Sequence, residues 1–444
     1  MGGIFKAYDI RGIYGETINE DIVYRIGRAY VLKFKTKKIT IGRDCRISSP
    51  KLFEALVRGV TDQGCDVLDI GLVSTPMMDF SVWKFKHDGG IVITASHNPP
   101  KYNGLKMVRE DSIPIGGETG IYEIEEMIKD LPSELPEKKG IVADFNVFDP
   151  YLEHITNYMD LTKLKKFNIA IDTANGMAGP IAAVFFDKLD CDLIHMYPVL
   201  DGNFPNHEAN PLKEENVEDL KKIVIEKKCD IGIAFDGDSD RCSFVDEKGQ
   251  IVPSDYVIAL VAKEMLKEHK GKTILYDVRC SRIVGKVIKD NGGKTGRCPV
   301  GHSLVKKQMR EQDIYFAGEL SSHFYYQEEH YAEAPFFVIL KILQIMTEEN
   351  KPLSELVEPL KVYSHTGEIN SKVEDKSGKM KELAEKFSDG NVSYLDGVTV
   401  EYTDWWFNVR PSNTEPYLRL NLEADTKELM DEKRDLVLGI IRNN

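Results

Sequence analysis

Alternation of strands and helices constrains the fold of this chain more than any other feature. In residues 37–94, KKITIG, DVLDIG and GGIVIT have the character of buried strands, and the helical segments SSPKLFEALVRGVTDQGC and TPMMDFSVWKFK lie between them. Strands separated by helices of this length indicate βαβ units and a parallel sheet. The same order of elements returns in residues 168–241 and 273–320 with little residue identity, so the sequence predicts three related α/β domains.

The C-terminal part of the chain has a different texture. After PLSELVEPL, the segment VSYLDGVTVEYTDWWFNVR reads as strands without intervening helices, followed by a terminal helix, which is typical of a small α+β domain. We therefore predict an α/β protein: three related α/β domains with mixed or parallel sheets, and a smaller C-terminal α+β domain, around a central cleft. We expect the domains to span residues 1–148, 149–250, 251–360 and 361–444.

Composition excludes several classes of partner. Lysine and arginine number 58 against 72 acidic residues, a net charge of −14, and no basic stripe suggests a nucleic-acid partner. No apolar run approaches the ~20 residues of a membrane span.

The N-terminal MGGIFKAYDIRG lacks the apolar core of a signal peptide. The seven cysteines form no CxxC pair, which is typical of reduced core thiols. We expect a cytoplasmic protein.

Polar loops follow a buried strand in each predicted α/β domain. IVIT runs into ASHNP, IGIAF into DGDSDR, and IYFAG into ELSSH. Open parallel sheets bind ligands outside the carboxyl ends of their strands. We therefore expect these three loops to line one cleft.

The loop DGDSDR places Asp236, Asp238 and Asp240 at alternate positions. Three close carboxylates repel one another unless a divalent cation lies between them, and all-oxygen ligands favour Mg²⁺ or Ca²⁺ over zinc. An EF-hand-like calcium loop is disfavoured, although Glu247 falls at its twelfth position, because Arg241 stands at the sixth, where glycine is required. A solvated acidic turn remains an alternative, since runs of charge usually lie at the surface.

Ser96 and His97 suggest acyl transfer at first sight. Neighbouring residues rarely place a hydroxyl and an imidazole in productive contact, however, and the chain has no GxSxG elbow. A phosphorylated Ser96 would instead carry about −1.5 to −2 charges and three acceptor oxygens. It would supply the anionic ligand that a three-aspartate Mg²⁺ site lacks, and the metal would polarise the phosphoryl group for transfer.

Two further loops offer groups for ligand binding. RPSNTEP, bounded by prolines, is suited to hold a phosphate, although alone it would equally be an ordinary polar turn. Its donors are Arg410, Ser412, Asn413 and Thr414. GELSSH would equally suit a surface loop, but it carries three groups that hydrogen-bond sugar hydroxyls. They are Glu319, Ser321 and His323.

These loops together resemble the α-D-phosphohexomutase superfamily, and specifically its phosphomannomutase/phosphoglucomutase branch. TASHNP, DGDSDR, GELSSH and RPSNTEP are similar, in the same order, to its active-serine, metal, sugar-recognition and phosphate-binding loops. Further similar stretches cover the whole chain: KAYDIRG, IGRDCRISSP, KYNGLKM, DTANGMAG, DGNFPNHEANP, VGHS and GEIN. The resemblance implies a four-domain protein with a central cleft, which fits the domains predicted above.

The resemblance also implies an activity. An isomerase is expected, in which phosphorylated Ser96 donates its phosphoryl group to the free 1- or 6-hydroxyl of a mannose or glucose phosphate. A hexose 1,6-bisphosphate is the intermediate, and glucose 1,6-bisphosphate or mannose 1,6-bisphosphate is the activator. The resemblance further implies one Mg²⁺ per chain, held by Ser96, Asp236, Asp238 and Asp240. The expected partners are hexose phosphates, and the expected assembly is a monomer or a weak homo-oligomer.

The roles carried over by resemblance fall into two sets. The catalytic set is Ser96, Arg11, His97, Lys106, Arg241 and His323. The substrate-binding set is Tyr8, Arg279, His302, Glu319, Ser321, His323, Arg410, Ser412, Asn413 and Thr414. Lys106 and His323 are the acid/base candidates, and a lysine can act as a base only if its pKa is lowered.

Three departures from the family pattern concern sugar recognition. Ser322 stands where the family often has glycine, YAEAP (331–335) replaces the usual acidic pair, and Arg279 replaces a common lysine. Arginine keeps the charge but changes its reach. The preferred sugar is therefore open. Phosphoglucosamine mutase, a metal-dependent sugar phosphatase and a non-catalytic sugar-phosphate binder are the alternatives.

Overall fold

The structure is a computed structural model that describes residues 3–412 and 416–442. Two predicted phosphate-loop residues, Asn413 and Thr414, lie outside the described residues. The chain is divided into two compact units. The first unit runs to Pro253 and continues with Gly301–Phe316 and Ser321–Ser354; the second contains Ser254–Val300, Ala317–Leu320 and the chain from Glu355 onward.

The first sheet of the first unit has seven strands. They are β1 (Ile10–Ile13), β2 (Lys38–Arg43), β3 (Asp66–Leu72), β4 (Gly89–Ile93), β5 (Tyr102–Arg109), β6 (Ile113–Pro114) and β7 (Val142–Asp144). The order is β1-β5-β4-β2-β3-β7, with β6 on β5. Strands β4, β2, β3 and β7 are parallel, whereas β5 runs antiparallel to β4 and β1. The helices are α1 (Glu20–Phe34), α2 (Ser49–Asp62), α3 (Thr75–Phe85) and α4 (Tyr122–Met127).

A second sheet in the same unit has five strands. They are β8 (Phe167–Asp172), β9 (Cys191–Met196), β10 (Ile231–Phe235), β11 (Cys242–Asp246) and β12 (Ile251–Val252), in the order β12-β11-β10-β8-β9. Strands β9, β8 and β10 are parallel, and β11 and β12 continue the sheet antiparallel. The accompanying helices are α5 (Phe148–Thr156), α6 (Ala178–Phe186) and α7 (Glu214–Lys227).

Local sequence explains where the central elements begin and why they are buried. Helix α3 begins after Ser74, whose Oγ accepts the N–H of Met77 at 3.3 Å, and Pro76 lies in its first turn, as is usual for helix N-termini. All five residues of β4 and of β10 are buried, because helices cover both faces of a parallel sheet. The loops that carry Ser96 and Asp236 follow directly from these two rigid strands.

The third α/β segment begins with α8 (Ser254–Glu268). Strands β13 (Thr273–Asp277) and β14 (Lys294–Cys298), with α9 (Arg282–Asp290) between them, pair in parallel within the second unit. The remaining elements are α10 (His302–Gln312), β15 (Phe316–Gly318), β16 (Phe324–Tyr326), α11 (Pro335–Glu348) and α12 (Leu353–Val357).

The C-terminal sheet is antiparallel throughout. Its strands are β17 (Ser364–Lys372), β18 (Asn391–Ser393), β19 (Val398–Glu401), β20 (Trp405–Pro411) and β21 (Tyr417–Ala424), in the order β17-β21-β20-β19-β18. Its helices are α13 (Lys376–Lys386) and α14 (Lys427–Arg442). Alternate residues such as Leu418, Leu420 and Leu422 enter its core, which leaves Arg410 and Arg419 on the other face of the pleat.

These elements confirm the predicted fold class. Mixed, largely parallel sheets with helices precede a smaller antiparallel α+β domain. All seven cysteines are free, and five of them are buried, as expected for core thiols. Within the described chain, every helix falls short of the length or the hydrophobicity that a membrane crossing requires.

Candidate active site

Ser96 occupies a strained turn at the end of β4. Its φ is +49°, a left-handed conformation that residues other than glycine adopt uncommonly and that concentrates at functional sites. The Ser96 N–H donates to Thr94 Oγ1 at 2.9 Å, and the side chain is buried. Ser96 Oγ donates to Asp236 Oδ2 at 2.9 Å. The turn therefore aims the serine hydroxyl at the predicted metal loop.

The metal loop gathers the three predicted carboxylates. One oxygen each of Asp236, Asp238 and Asp240 lies within 4.8 Å of the others, and all three residues are buried. Asp236 Oδ1 accepts the backbone N–H of Asp240 at 3.1 Å and of Arg241 at 3.3 Å, which folds the loop around its first carboxylate. At Gly237, a Cβ would lie 2.5 Å from the carbonyl oxygen of Ser96, so only glycine allows the two loops to approach this closely.

The electrostatics of this cluster fit a divalent cation. Burial, and then the charges of Asp240 and Asp238, raise the pKa of Asp236 well above its ordinary value. Oδ1 of Asp238 and Oδ1 of Asp240 accept no hydrogen bond from the residues that the structure describes. Buried, mutually repelling carboxylate oxygens are the donor set of Mg²⁺. The alternative of a solvated acidic turn is wrong because all three carboxylates are inside the protein.

Lys106 on β5 balances part of this charge. Its Nζ donates to Asp238 Oδ2 at 2.6 Å and also to Asp240 Oδ2. Burial alone would lower the pKa of Lys106, but the charges of Asp238 and Asp240 raise it above its ordinary value. The structure thus contradicts the lowered pKa that a lysine base requires. Thr75 Oγ1, which the sequence did not single out, also donates to Asp238 Oδ2, at 2.6 Å.

Arg241 joins the two predicted histidines. Its Nη2 donates to His97 Nδ1 at 3.0 Å and its Nε to His323 Nε2 at 3.3 Å. Arginine only donates hydrogen bonds, so both ring nitrogens are acceptors. Burial, and then the charges of Arg241 and Arg11, lower the pKa of His97 well below its ordinary value.

His97 contacts its neighbour Ser96, but not as a base. Its Nδ1 lies 3.1 Å from Ser96 Oγ, so these neighbouring side chains do make contact. Because the single lone pair of Nδ1 already accepts from Arg241, however, His97 is not a free base for the serine. Acyl transfer stays disfavoured.

Arg11 and two aromatic residues complete the first-unit set. Arg11 Nη1 donates to Asn98 Oδ1 at 2.5 Å, and its Nη2 pairs with Asp9. The rings of Tyr8 and His302 meet edge to face with centroids 6.4 Å apart. Burial, and then the charges of two lysines, lower the pKa of His302 well below its ordinary value. The structure therefore places Arg11 against the serine loop and sets Tyr8 against His302.

The sugar-recognition loop contributes Ser321 to the first unit. Ser321 Oγ lies 3.1 Å from His323 Nδ1, so the serine and Arg241 contact opposite nitrogens of one ring. Ser322, which replaces a frequent glycine, has a φ of +65°. Its Oγ lies 2.9 Å from Ser243 Oγ on β11, so this extra hydroxyl has a partner inside the protein.

The segment YAEAP (331–335), which replaces the usual acidic pair of the family, contains one acidic residue, Glu333, and this residue is buried. Lys306 Nζ lies 2.5 Å from Glu333 Oε2 and 2.8 Å from Asp79 Oδ2. Glu333 Oε1 in turn lies 4.0 Å from His302 Nδ1. Nothing in the spacing of Asp79, Lys306 and Glu333 along the chain predicts that they meet, because they come from three separate elements.

In the second unit, Asp277 holds Arg279 in place. Oδ1 of Asp277 accepts from Arg279 Nε at 3.1 Å, and Oδ2 accepts from Nη2 at 2.6 Å. The same Oδ2 accepts the N–H of Leu320 at 2.7 Å. Burial would lower the pKa of Arg279, but the charges of Asp277 and of Glu319 raise it. Asp277, which the sequence did not flag, therefore connects Arg279 to the start of the sugar loop.

The predicted phosphate loop begins from a pair of arginines. Arg410 on β20 and Arg419 on β21 are direct cross-strand neighbours, an arrangement that repels unless an anion lies between them. Glu368 supplies one, accepting from Arg410 Nη2 at 2.8 Å and from Arg419 Nη1 at 3.3 Å. Arg419 Nη2 also donates to Ser412 Oγ at 3.4 Å. Arg419 was missed because it occupies an ordinary polar position of a strand, and Glu368, although it lies in the stretch GEIN, was given no role.

This arginine pair has capacity for a further anion. Arg410 is 8% exposed, and burial, followed by the charge of Arg279, lowers its pKa. The Nε groups of Arg410 and Arg419 are buried and donate to no acceptor among the described residues. Unused guanidinium donors of this kind are typical of phosphate and carboxylate sites.

Comparisons with known proteins agree with this geometry. Four descriptions match in succession: Phosphoglucomutase/phosphomannomutase alpha/beta/alpha domain I over residues 2–134, domain II over 149–249, domain III over 253–363 and the C-terminal domain over 368–439. A phosphomannomutase from Methanocaldococcus jannaschii is 40% identical, covering 99% of this chain and 97% of the relative. A phosphomannomutase from Escherichia coli K12 is 39% identical, with 99% and 98% covered.

A solved structure extends the likeness to three dimensions. The crystal structure of a phosphoglucomutase/phosphomannomutase family protein from Burkholderia thailandensis has a TM-score of 0.89 at 35% identity, covering 97% of this chain and 95% of that one. These similarities confirm the predicted activity of a phosphohexomutase, an isomerase, and favour neither phosphoglucosamine mutase nor a sugar phosphatase. Every domain of the family model is present, and relatives match over nearly their full length. The chain belongs to the phosphoglucomutase/phosphomannomutase family.

Proposed function

We propose that this protein interconverts the 1-phosphates and 6-phosphates of mannose and glucose through a phosphorylated Ser96 and a hexose 1,6-bisphosphate. The observation that carries this proposal is the 2.9 Å contact of Ser96 Oγ with Asp236, within a buried cluster of three carboxylates. A serine placed against a cluster suited to Mg²⁺ matches the needs of phosphoryl transfer, in which positioning and charge stabilisation provide nearly all of the catalysis.

The proposed transfer moves one phosphoryl group in each direction. The bond between phosphorus and Ser96 Oγ breaks, and a new bond forms to the free 1- or 6-hydroxyl oxygen of the hexose phosphate. The second half-reaction returns the other phosphoryl group of the bisphosphate to Ser96. In the proposed step Arg241 Nε turns from His323 Nε2 to the transferring phosphate, and the freed Nε2 takes the proton of the attacking hydroxyl. Lys106 remains a cation beside the carboxylates.

The arginines and His97 stabilise the transferring group in this proposal. The contacts of Arg11 with Asn98 and of Arg241 with His97 support placing both charges at the serine loop. Two guanidinium groups near a phosphoryl group offset the negative charge that develops during its transfer. His97 is kept as a contact to the phosphate rather than as a base.

Asp236, Asp238, Asp240 and the phosphate of Ser96 are proposed to hold one Mg²⁺, with a hexose 1,6-bisphosphate as the activator. The bound cation would polarise the phosphoryl group and lower the charge that the attacking oxygen meets. The orphaned oxygens of Asp238 and Asp240 support this assignment.

Recognition of the substrate is assigned to the substrate-binding set named above. Arg410 and Ser412 are proposed to bind the non-reacting phosphate, with Asn413 and Thr414, which lie outside the described residues. Glu319 and Ser321 are proposed to bind sugar hydroxyls. Tyr8, Arg279 and His302 are further proposed substrate contacts. The unused donors of the arginine pair support the phosphate assignment.

Location and assembly belong to the same proposal. Seven free cysteines are typical of a reducing compartment, which supports the cytoplasm. A monomer or weak homo-oligomer is proposed. Because the relatives described above are named phosphomannomutases, mannose phosphate is the first substrate to try.

A coupled assay tests the proposal. Mannose 1-phosphate or glucose 1-phosphate, supplied with Mg²⁺ and a trace of the matching 1,6-bisphosphate, should yield the 6-phosphate. Release of free phosphate at a comparable rate would instead identify a phosphatase. Values of kcat/KM for mannose 1-phosphate, glucose 1-phosphate and glucosamine 1-phosphate then rank the sugars, and a preference for glucosamine would overturn the proposed substrate class.

A further inference from the structure

Arg46, in the loop between β2 and α2, is the most completely engaged arginine near the serine loop. Its side chain has no exposed surface. Nη2 donates to the carbonyl oxygens of Ser96 at 2.7 Å and Asn98 at 2.6 Å, and Nη1 donates to those of Pro99 at 2.8 Å and Tyr102 at 3.1 Å. Nε donates to Asp44 Oδ2 at 3.0 Å. All five N–H groups of the guanidinium therefore have partners inside the protein.

These contacts satisfy a need of the serine loop. Residues 95–101 lie outside the strands. The carbonyl groups of Ala95, Pro99 and Lys101 accept backbone N–H groups, and the other carbonyl groups of the loop depend on partners outside the sheet ladder. One guanidinium donates to three carbonyl groups of the loop and also to that of Tyr102, the first residue of β5. It thus ties both ends of the loop to a single planar group.

The position of Arg46 is itself fixed. Asp44 Oδ1 accepts the N–H of Arg46 at 3.0 Å and the hydroxyl of Ser49 at 2.6 Å. Asn103 Nδ2 donates to Ser49 Oγ at 3.0 Å and to Ser48 Oγ at 2.8 Å. IGRDCRISSP, a stretch with no role so far, and KYNGLKM, which also carries Lys106, therefore meet in one buried network.

We propose that Arg46 is a positioning residue for phosphoryl transfer, which holds the backbone of Ser96 in the conformation that directs Oγ toward the carboxylate cluster. This inference rests on the proposed function. Because no N–H of Arg46 remains for a ligand, the residue acts through the loop and does not touch substrate. The carbonyl oxygen of Ser96 accepts from Nη2 of Arg46 and lies close to Gly237, where a Cβ would come within 2.5 Å of it, so loss of the Arg46 contact removes one restraint on the serine backbone.

Lysine cannot replace this arrangement. It offers three N–H groups from a single atom, whereas Arg46 reaches four carbonyl oxygens with a planar fork. Arg46→Lys keeps the charge opposite Asp44 but leaves carbonyl groups of the loop without partners. A displacement of a reacting atom by about 1 Å costs on the order of 100-fold in rate, and we expect a fall of about that size in kcat.

The matched control is Arg28→Lys. Arg28 is also buried and donates to a side-chain oxygen and to a backbone carbonyl, at 3.1 Å to Gln63 and 2.6 Å to Pro132. Both variants lose arginine hydrogen bonds in the same domain, so both are expected to melt at a lower temperature than the wild type. Only Arg46→Lys is expected to lose kcat, with KM for the hexose phosphate changed less than threefold.

Two readouts separate positioning from stability. The first is kcat and KM at a temperature where circular dichroism shows both variants folded. The second is the fraction of chains that carry phosphate on Ser96 after incubation with the 1,6-bisphosphate, measured by intact mass; it should fall for Arg46→Lys alone. Equal kcat and equal phosphorylation in the two variants would overturn the inference.

A second substitution covers the case in which Arg46→Lys does not fold. Asp44→Asn is isosteric and leaves the four carbonyl contacts possible while weakening the contact that orients Nε. It should lower kcat and Ser96 phosphorylation in the same direction by a smaller factor, and unchanged values would contradict the inference. Failure of the proposed function is seen separately, because the wild-type protein would then show no interconversion.

Discussion

Buried charged groups with unused hydrogen-bonding atoms are of opposite sign in the first unit and in the second. In the first, two buried carboxylate oxygens of the metal loop lack a hydrogen-bond donor among the described residues. In the second, it is guanidinium groups, those of Arg410 and Arg419, that keep unused buried donors. A buried charge persists only when it is paired or held for a ligand. The first region is therefore suited to a cation and the second to an anion.

The two regions also differ in how they are built. Ser96 and Asp236 follow fully buried parallel strands, whose loops meet at a glycine contact. Arg410 and Arg419 lie opposite each other on antiparallel strands with one polar face. Rigid strand ends fix the geometry that transfer demands, whereas an arginine pair recognises a phosphate by its charge and its oxygens. The contrast suggests chemistry in the first unit and phosphate recognition in the second.

Ser96→Ala should abolish phosphoryl transfer and leave binding of the hexose phosphate intact. Without Oγ no phosphoryl carrier exists, so we expect kcat to fall by about 10⁴-fold or more, as for other nucleophile deletions. Binding of glucose 6-phosphate, measured by calorimetry, should stay within about threefold of the wild type. Ser81→Ala, at another buried serine, is the control and should retain turnover. Residual turnover above 1% in Ser96→Ala would contradict a phosphoserine mechanism.

Asp238→Asn should test the cation site of the first unit by removing a proposed Mg²⁺ ligand. Loss of a proposed ligand should weaken Mg²⁺ binding by more than the roughly 10–100-fold that loss of a second-shell partner costs. Turnover should fall in parallel, and excess Mg²⁺ should restore part of it. Titration of Mg²⁺ by calorimetry and by activity provides the measurement. Asp62→Asn, at a buried acid paired with Tyr24, should change neither; equal Mg²⁺ affinity in both variants would remove the metal from this cluster.

Sequence reasoning was sufficient wherever function depends on one loop. The alternation of strands and helices, the three aspartates and Ser96 were predicted because each is signalled by a short, local pattern. Roles for Glu368 and Arg46 were not, although both lie in stretches similar to the family, because each acts on residues distant in sequence; Asp277 was not, because it is an ordinary polar residue at the end of a strand. The ion pair of Lys106 with Asp238 and Asp240 also depends on the fold, and for that reason the lowered pKa required of a lysine base was contradicted only by the structure.

Arg410→Gln should weaken binding of the hexose phosphate and leave phosphoryl transfer to Ser96 largely intact. A charged hydrogen bond to phosphate contributes about 1.5–3 kcal/mol, so binding of glucose 6-phosphate should weaken about 10- to 150-fold. Phosphorylation of Ser96 at saturating bisphosphate should change far less. Arg434→Gln, at a half-buried arginine of α14 that pairs with Asp431 and Asp435, is the control. An unchanged KM with a large loss of kcat in Arg410→Gln would assign Arg410 to the transfer step. It would contradict the assignment of transfer to the first unit and of phosphate binding to the second.

Arg279→Lys should give the smallest effect and test recognition within the second unit. Asp277 holds the guanidinium at two atoms while its Oδ2 also accepts from Leu320, so arginine is presented in one fixed orientation. Lysine restores the residue common in the family, but it cannot make the two-atom contact. We expect the ratio of kcat/KM for mannose 1-phosphate to that for glucose 1-phosphate to shift by up to about 10-fold, at the lower end of what single pocket contacts provide. Arg282→Lys, at an arginine whose guanidinium pairs with Glu423 and Asp425, should leave the ratio unchanged.

Asp277→Asn weakens the contact of Asp277 with Arg279 while keeping the arginine. It should therefore shift the ratio in the same direction as Arg279→Lys, and the double variant should add little to either. Additive effects would show that Asp277 acts on the sugar loop through Leu320 and not through Arg279.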